Sequence, residues 1–125
     1  FAEKGLADIL TAAYERYSRF IHDKDMLTFF KVLYAERASS PAAAQILLDE
    51  TESMISSVKA LFYSLVVHGR MKNEDVDTAA VSYAMTIHSL VDREMDRMTA
   101  GSAPSSTIPQ DIEEYIRWFA KIMEA

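Results

Sequence analysis

Apolar residues recur three and four positions apart along almost the whole chain and nowhere alternate for long with period two. That is the pattern of amphipathic helices and not of half-buried strands. The first stripe is Leu6, Ile9, Leu10, Ala13, Tyr17, Phe20 and Ile21, which predicts one helix running through Ile21. Asp23-Lys24-Asp25 offers caps for a second helix. There Met26, Phe29, Phe30 and Leu33 form a stripe that Leu27, Val32 and Tyr34 widen. A helix apolar around so much of its circumference is expected to be wrapped by its neighbours.

Ser39-Ser40-Pro41 marks the next start. Serine caps a first turn, and proline lacks a donor that the first turn leaves unpaired anyway. From there to His68 the pattern predicts the longest helix, about 28 residues or roughly 42 Å. Its stripe is Leu47, Thr51, Met54, Ile55, Val58, Leu61, Phe62 and Leu65, and Gly69 stands where a left-handed residue closes a helix. Asp75, in preference to Asn73, caps the fourth helix, with Asp77 favourably placed in the first turn. After a small polar loop from Gly101 to Ser106, Thr107 and Gln110 read as a capping box opening the fifth helix. With no internal repeat or low-complexity tract, residues 1–125 are expected to form a single all-α domain of five helices.

The last two helices are two-sided. The fourth carries Val76, Ala79, Ala80, Tyr83, Ile87 and Leu90 on one stripe, and Val81, Ala84, Met85, His88, Val91 and Met95 on another. In the fifth, Ile112, Ile116, Phe119 and Met123 lie on one side and Tyr115, Trp118 and Ile122 on the next. A surface helix needs an apolar stripe of about 100°. Either the other helices cover both faces, or two chains meet there in an intermolecular four-helix bundle. The second reading predicts a homodimer interface of Val81, Ala84, Met85, His88, Val91, Tyr115, Trp118 and Ile122.

Composition narrows the chemistry. Leu, Ile, Val and Phe make up a quarter of the 125 residues, enough for a core and more than disordered chains carry. The absence of cysteine removes disulfides, thiol nucleophiles and cysteine-held metals. The net charge of −6, concentrated after residue 70, is unsuited to a phosphate backbone. No apolar run reaches the length of a membrane span, so a cytoplasmic protein is expected. The chain starts at Phe1 without an initiator methionine, as a piece of a longer protein would.

Two segments are similar to the tetracycline-repressor (TetR) family of regulators. Leu27-Thr28-Phe29-Phe30-Lys31-Val32-Leu33-Tyr34-Ala35-Glu36 followed by Ser40-Pro41 resembles that family's aliphatic run, Ala-Glu, then Pro. Val67-His68-Gly69-Arg70-Met71 and Asp75-Val76-Asp77-Thr78-Ala79-Ala80 resemble its junction between the seventh and eighth helices. The order and lengths of all five helices fit the C-terminal half of the family. The resemblance implies a bacterial effector-binding and dimerisation domain. Nothing here matches the family's helix-turn-helix head, so DNA would be reached only through a domain not present in this chain.

Candidate chemistry follows from the inward stripes. Tyr14, Tyr17, Phe30, Tyr34, Met54, Val58, Phe62 and Tyr83 either pack a plain core or line a cavity for a small, partly apolar effector between the first, third and fourth helices. Methionine lets such a cavity adapt, and buried tyrosines need polar partners. His88 is read as a contact to an effector, as an interface hydrogen bond, or as a satisfied partly exposed side chain. His22 and His68 sit where helix C-termini favour them. Asp92 and Asp96, flanked by Arg93 and Arg97, read as a solvated charged face and not as a metal site. No metal, cofactor or catalytic residue is expected. The rival readings are a helical homodimeric interaction module without a small ligand and, more remotely, a metal-dependent bundle enzyme.

Overall fold

Five α-helices follow one another in the computed structural model, which describes residues 4–103 and 108–125. They are α1 (Leu6–Tyr17), α2 (Lys24–Glu36), α3 (Pro41–Val67), α4 (Val76–Thr99) and α5 (Gln110–Met123), with a 3₁₀ turn over Ser18–His22. The all-α class and the number of helices agree with the sequence. The first stripe, however, does not run through one helix: after Tyr17 the backbone tightens, and Phe20 and Ile21 are delivered from the 3₁₀ turn.

Local chemistry explains most of the boundaries. The Asp23 carboxylate accepts from the backbone N–H groups of Asp25 and Met26, opening α2. Ser40 Oγ accepts from Ala43 N–H with Pro41 in the first turn of α3. At the other end of α3, Arg70 N–H donates to Leu65 O and Gly69 N–H to Val66 O, with Gly69 at φ 71°. This double closure needs a left-handed residue, which glycine adopts without a Cβ penalty. His68 also closes α3, its ring Nδ1 lying 2.8 Å from Ser64 O.

Two caps work differently from expectation. Asp75 precedes α4 as foreseen, but in the left-handed region at φ 44°, and its side chain caps nothing. Only its carbonyl engages the helix, accepting from Ala79 N–H. The capping box of α5 does not form on Gln110. That residue is the first of the helix, following Pro109, and its amide donates to Glu114. Thr107, the other half of the box, lies outside the described residues.

The core gathers where α3 packs on α4 and α1 on α5. Leu6, Leu10, Phe62, Leu65, Ala80 and Ile112 are wholly buried at its centre. Tyr83 and Phe119 close on Phe62 with ring centroids 5.4 and 5.6 Å away. Polar anchors tie α5 to α4. Asp111 lies 3.3 Å from an Arg97 nitrogen and 3.5 Å from one of Arg93, while Arg97 also meets the buried Glu94 carboxylate at 3.6 Å. At the far end, Glu124 accepts from Leu6 N–H at 2.6 Å, and Lys72 N–H donates to Met123 O. The start of α1 is thus capped by the last turn of the chain.

The second helix is the main departure. α2 was expected to be wrapped, yet only Leu33 is buried, and Phe29 and Val32 are 49% and 55% exposed. It packs on α3 and on the 3₁₀ turn and has no substantial contact with α5. Periodicity counts apolar positions but not the neighbours available to cover them.

Candidate functional site

Two adjoining chambers open along α3. The first, about 330 Å³, lies between the 3₁₀ turn, α2, α3 and α4, with Phe20, Phe30, Tyr34, Arg37 and His88 in its wall. The second, about 490 Å³, lies between α1, α3 and α4, with Leu10, Tyr14, Val58, Leu61 and Tyr83 in its wall. Tyr17, Glu50 and Met54 belong to both. These volumes are in the range of small-molecule sites.

Seven of the eight residues expected around a cavity line one chamber or the other: Tyr14, Tyr17, Phe30, Tyr34, Met54, Val58 and Tyr83. Phe62 does not. It is wholly enclosed behind Tyr83, in the aromatic core. The stripe of α3 is wider than the cavity, so its lower part packs against α4 and α5 instead.

The polar residues of the first chamber form a chain that the sequence did not reveal. Tyr34 hydroxyl donates to Asp92 at 3.0 Å, Asp92 lies 3.7 Å from His88 Nε2, and His88 Nδ1 lies 3.5 Å from the Tyr17 hydroxyl. Asp92 is therefore not part of a solvated face. It is half-buried and is shared by α2 and α4. Of the readings open for His88, its place in the chamber wall fits the effector contact and not the interface. Arg37, at the mouth, sets its guanidinium 5.1 Å from the centroid of the Tyr34 ring. The i, i+4 spacing of His88 and Asp92 was legible, but nothing in it said which residues of α2 would face them.

Burial, followed by the charge of Asp92, pushes the Tyr17 phenol up to about 12. Burial, then the charge and hydrogen bond of Asp92, raises Tyr34 as well. Burial raises Tyr14 and Tyr83. All four hydroxyls therefore keep their protons well past neutrality. An unfolded tyrosine loses its proton near pH 10, so the folded state is the better proton holder in alkali. Stability is expected to hold level up to about pH 10 and to fall as pH rises towards about 12. Thermal unfolding at stepped pH, with tyrosinate absorbance followed in parallel, checks this; tyrosines that all titrate near 10 in the folded protein would contradict it.

The exposed faces of α4 and α5 carry Val81, Met85, Trp118 and Ile122, with Trp118 58% exposed. Tyr115 is half-buried beside them. Ala84 and Val91, expected on the same face, are instead buried in the chain's own core. Between stripes only about 100° apart, neighbouring helices cover the boundary positions first. A column of rings joins this face to the second chamber. Tyr83, in the wall of the second chamber, stacks on Tyr115 at 5.7 Å, and Tyr115 meets Trp118 at 5.9 Å.

Among the described residues no three His, Asp or Glu side chains gather closely enough to hold a metal ion, and no helix is long and apolar enough to cross a membrane. A family model described as AefR-like transcriptional repressor, C-terminal domain, matches residues 8–122. No curated protein and no solved structure shows a significant match.

Proposed function

Because this chain belongs to the TetR family, as an AefR-like transcriptional repressor C-terminal domain, we propose that it senses a small, partly apolar effector and dimerises through α4 and α5. The observation that carries this reading is the ring column. Tyr83 is at once a wall of the second chamber and the first member of a stack ending at exposed Trp118. A molecule that moves Tyr83 would change the surface on which two chains meet.

The mechanism is a population shift. An effector that fits one arrangement of α1, α3 and α4 better than another favours that arrangement by its difference in affinity. The dimer face then alters the spacing of whatever DNA-binding heads are joined to it. A coupling of about 1–3 kcal/mol changes operator affinity usefully. The bacterial cytoplasm is the setting such a regulator implies.

Native mass spectrometry of the purified chain is the direct test. The expected result is a dimer carrying extra mass from a co-purified small molecule. A monomer at micromolar concentration would remove the interface. A bare dimer whose Trp118 emission is unmoved by a panel of lipophilic compounds would leave only the interaction module without a ligand.

A further inference from the structure

The polar end of the first chamber has a direction. As a carboxylate, Asp92 can only accept hydrogen bonds, and the Tyr34 hydroxyl donates to it at 3.0 Å. His88 turns Nε2 towards the same carboxylate at 3.7 Å. The Tyr17 hydroxyl lies 3.5 Å from His88 Nδ1, and in the tautomer with its proton on Nε2 that nitrogen accepts from the phenol. In that arrangement the Tyr34 proton is directed to Asp92 and the Tyr17 proton to His88. What the two phenols have left to offer a guest is oxygen lone pairs.

The aromatic wall of the first chamber also suits a cation. The rings of Tyr17, Phe20 and Phe30 follow one another in the wall, with centroids 6.0 and 5.1 Å apart. Aromatic faces attract cations, and Arg37 already lies over the face of Tyr34. Glu50 stands at the junction of the two chambers. Arg37 lines the first chamber and Arg16 the second; like Glu50, both are exposed, so water screens all three charges. The second chamber is mostly aliphatic and aromatic, with Leu10, Val58, Leu61 and Ile87 in its wall.

We propose that the paired chambers bind an elongated organic cation, a protonated amine carried on an apolar body. The ammonium group lies among Tyr17, Tyr34 and Phe30 and donates to the two phenol oxygens, and the apolar body extends past Met54 into the second chamber. This deepens the effector-binding reading above and rests on it.

Three probes of one shape separate the possibilities: 4-phenylbutylamine, 4-phenylbutanol and 4-phenylbutanoate, titrated by calorimetry at pH 7. Methyl-labelled methionine spectra locate the binding, since Met26 and Met54 line the site whereas Met71 and Met123 are in the core. The amine is expected to bind at least tenfold more tightly than the carboxylate and to shift Met26 and Met54 alone. Asp92→Asn should reduce that preference to twofold or less. Should that variant fail to fold, Glu50→Gln, at an exposed position, should reduce it about threefold. Equal binding of all three, or preference for the carboxylate, would overturn the cation assignment while leaving effector binding intact. No binding of any probe would overturn the assignment and count against the effector reading itself.

Discussion

Trp118→Ala is expected to raise the dimer dissociation constant about a thousandfold while barely changing the stability of the single chain. Trp118 is more than half exposed in the isolated fold, and a surface truncation of that kind usually changes stability by less than about 0.5 kcal/mol. In a protein interface, tryptophan is among the residues whose removal costs most, about 2 kcal/mol or more at a well-packed centre. A two-fold interface contains the position twice. Two losses of about 2 kcal/mol correspond to roughly three powers of ten in affinity. Val32→Ala is the control, because Val32 is about as exposed but sits on α2, away from α5. Sedimentation equilibrium across a concentration series reads both variants. If Val32→Ala weakened the dimer as much as Trp118→Ala, the interface would have to be moved to the α2 face.

Phe62→Ala should be the most damaging single truncation in the core. The side chain has no exposed surface and is held between Tyr83 and Phe119. Removing a buried phenylalanine costs about 3–5 kcal/mol through lost transfer energy and the cavity left behind. A domain of this size has about 5–15 kcal/mol in all, so the midpoint of thermal unfolding should fall by roughly 10–20 °C. Phe62→Leu, which refills much of the space, should lose less than half as much. Denaturant titrations with unchanged slope would assign the loss to stability alone. A loss under about 1 kcal/mol would mean that the three rings are not packed as described.

The residues that were readable in advance share a property. Ser40-Pro41, Asp23 and Gly69 act on backbone groups within five positions of themselves, so their chemistry is contained in the sequence that surrounds them. The helical stripes were readable for the same reason, and with them seven of the eight cavity residues. Asp92 was not, and for His88 a contact to an effector was only one of three readings. Their role depends on Tyr34 and Tyr17, 58 and 71 positions away, and a charged residue flanked by arginines looks alike whether the next helix covers it or not. The capping box puts the start of α5 two residues too early, for a different reason. Pro109, with φ −57° and ψ 142°, holds the backbone outside the helix until Gln110. Ala84 and Val91 show the limit of a stripe: it gives a direction around one helix, and only the packing of the other four decides what that direction meets.

The hydrogen bond from Leu6 to Glu124 spans 118 positions, and that separation bears on how the chain finds its fold. Only eight residues separate α3 from α4, whereas 92 separate α1 from α5. Loop-closure entropy makes the second pairing about 2 kcal/mol more costly to bring together than the first. On loop-closure entropy alone, the α3–α4 pairing is favoured to form before the α1–α5 seam. Once it has closed, the chain is a ring: the start of α1 is held by the residue that follows α5, so fraying of either terminus breaks the same hydrogen bond.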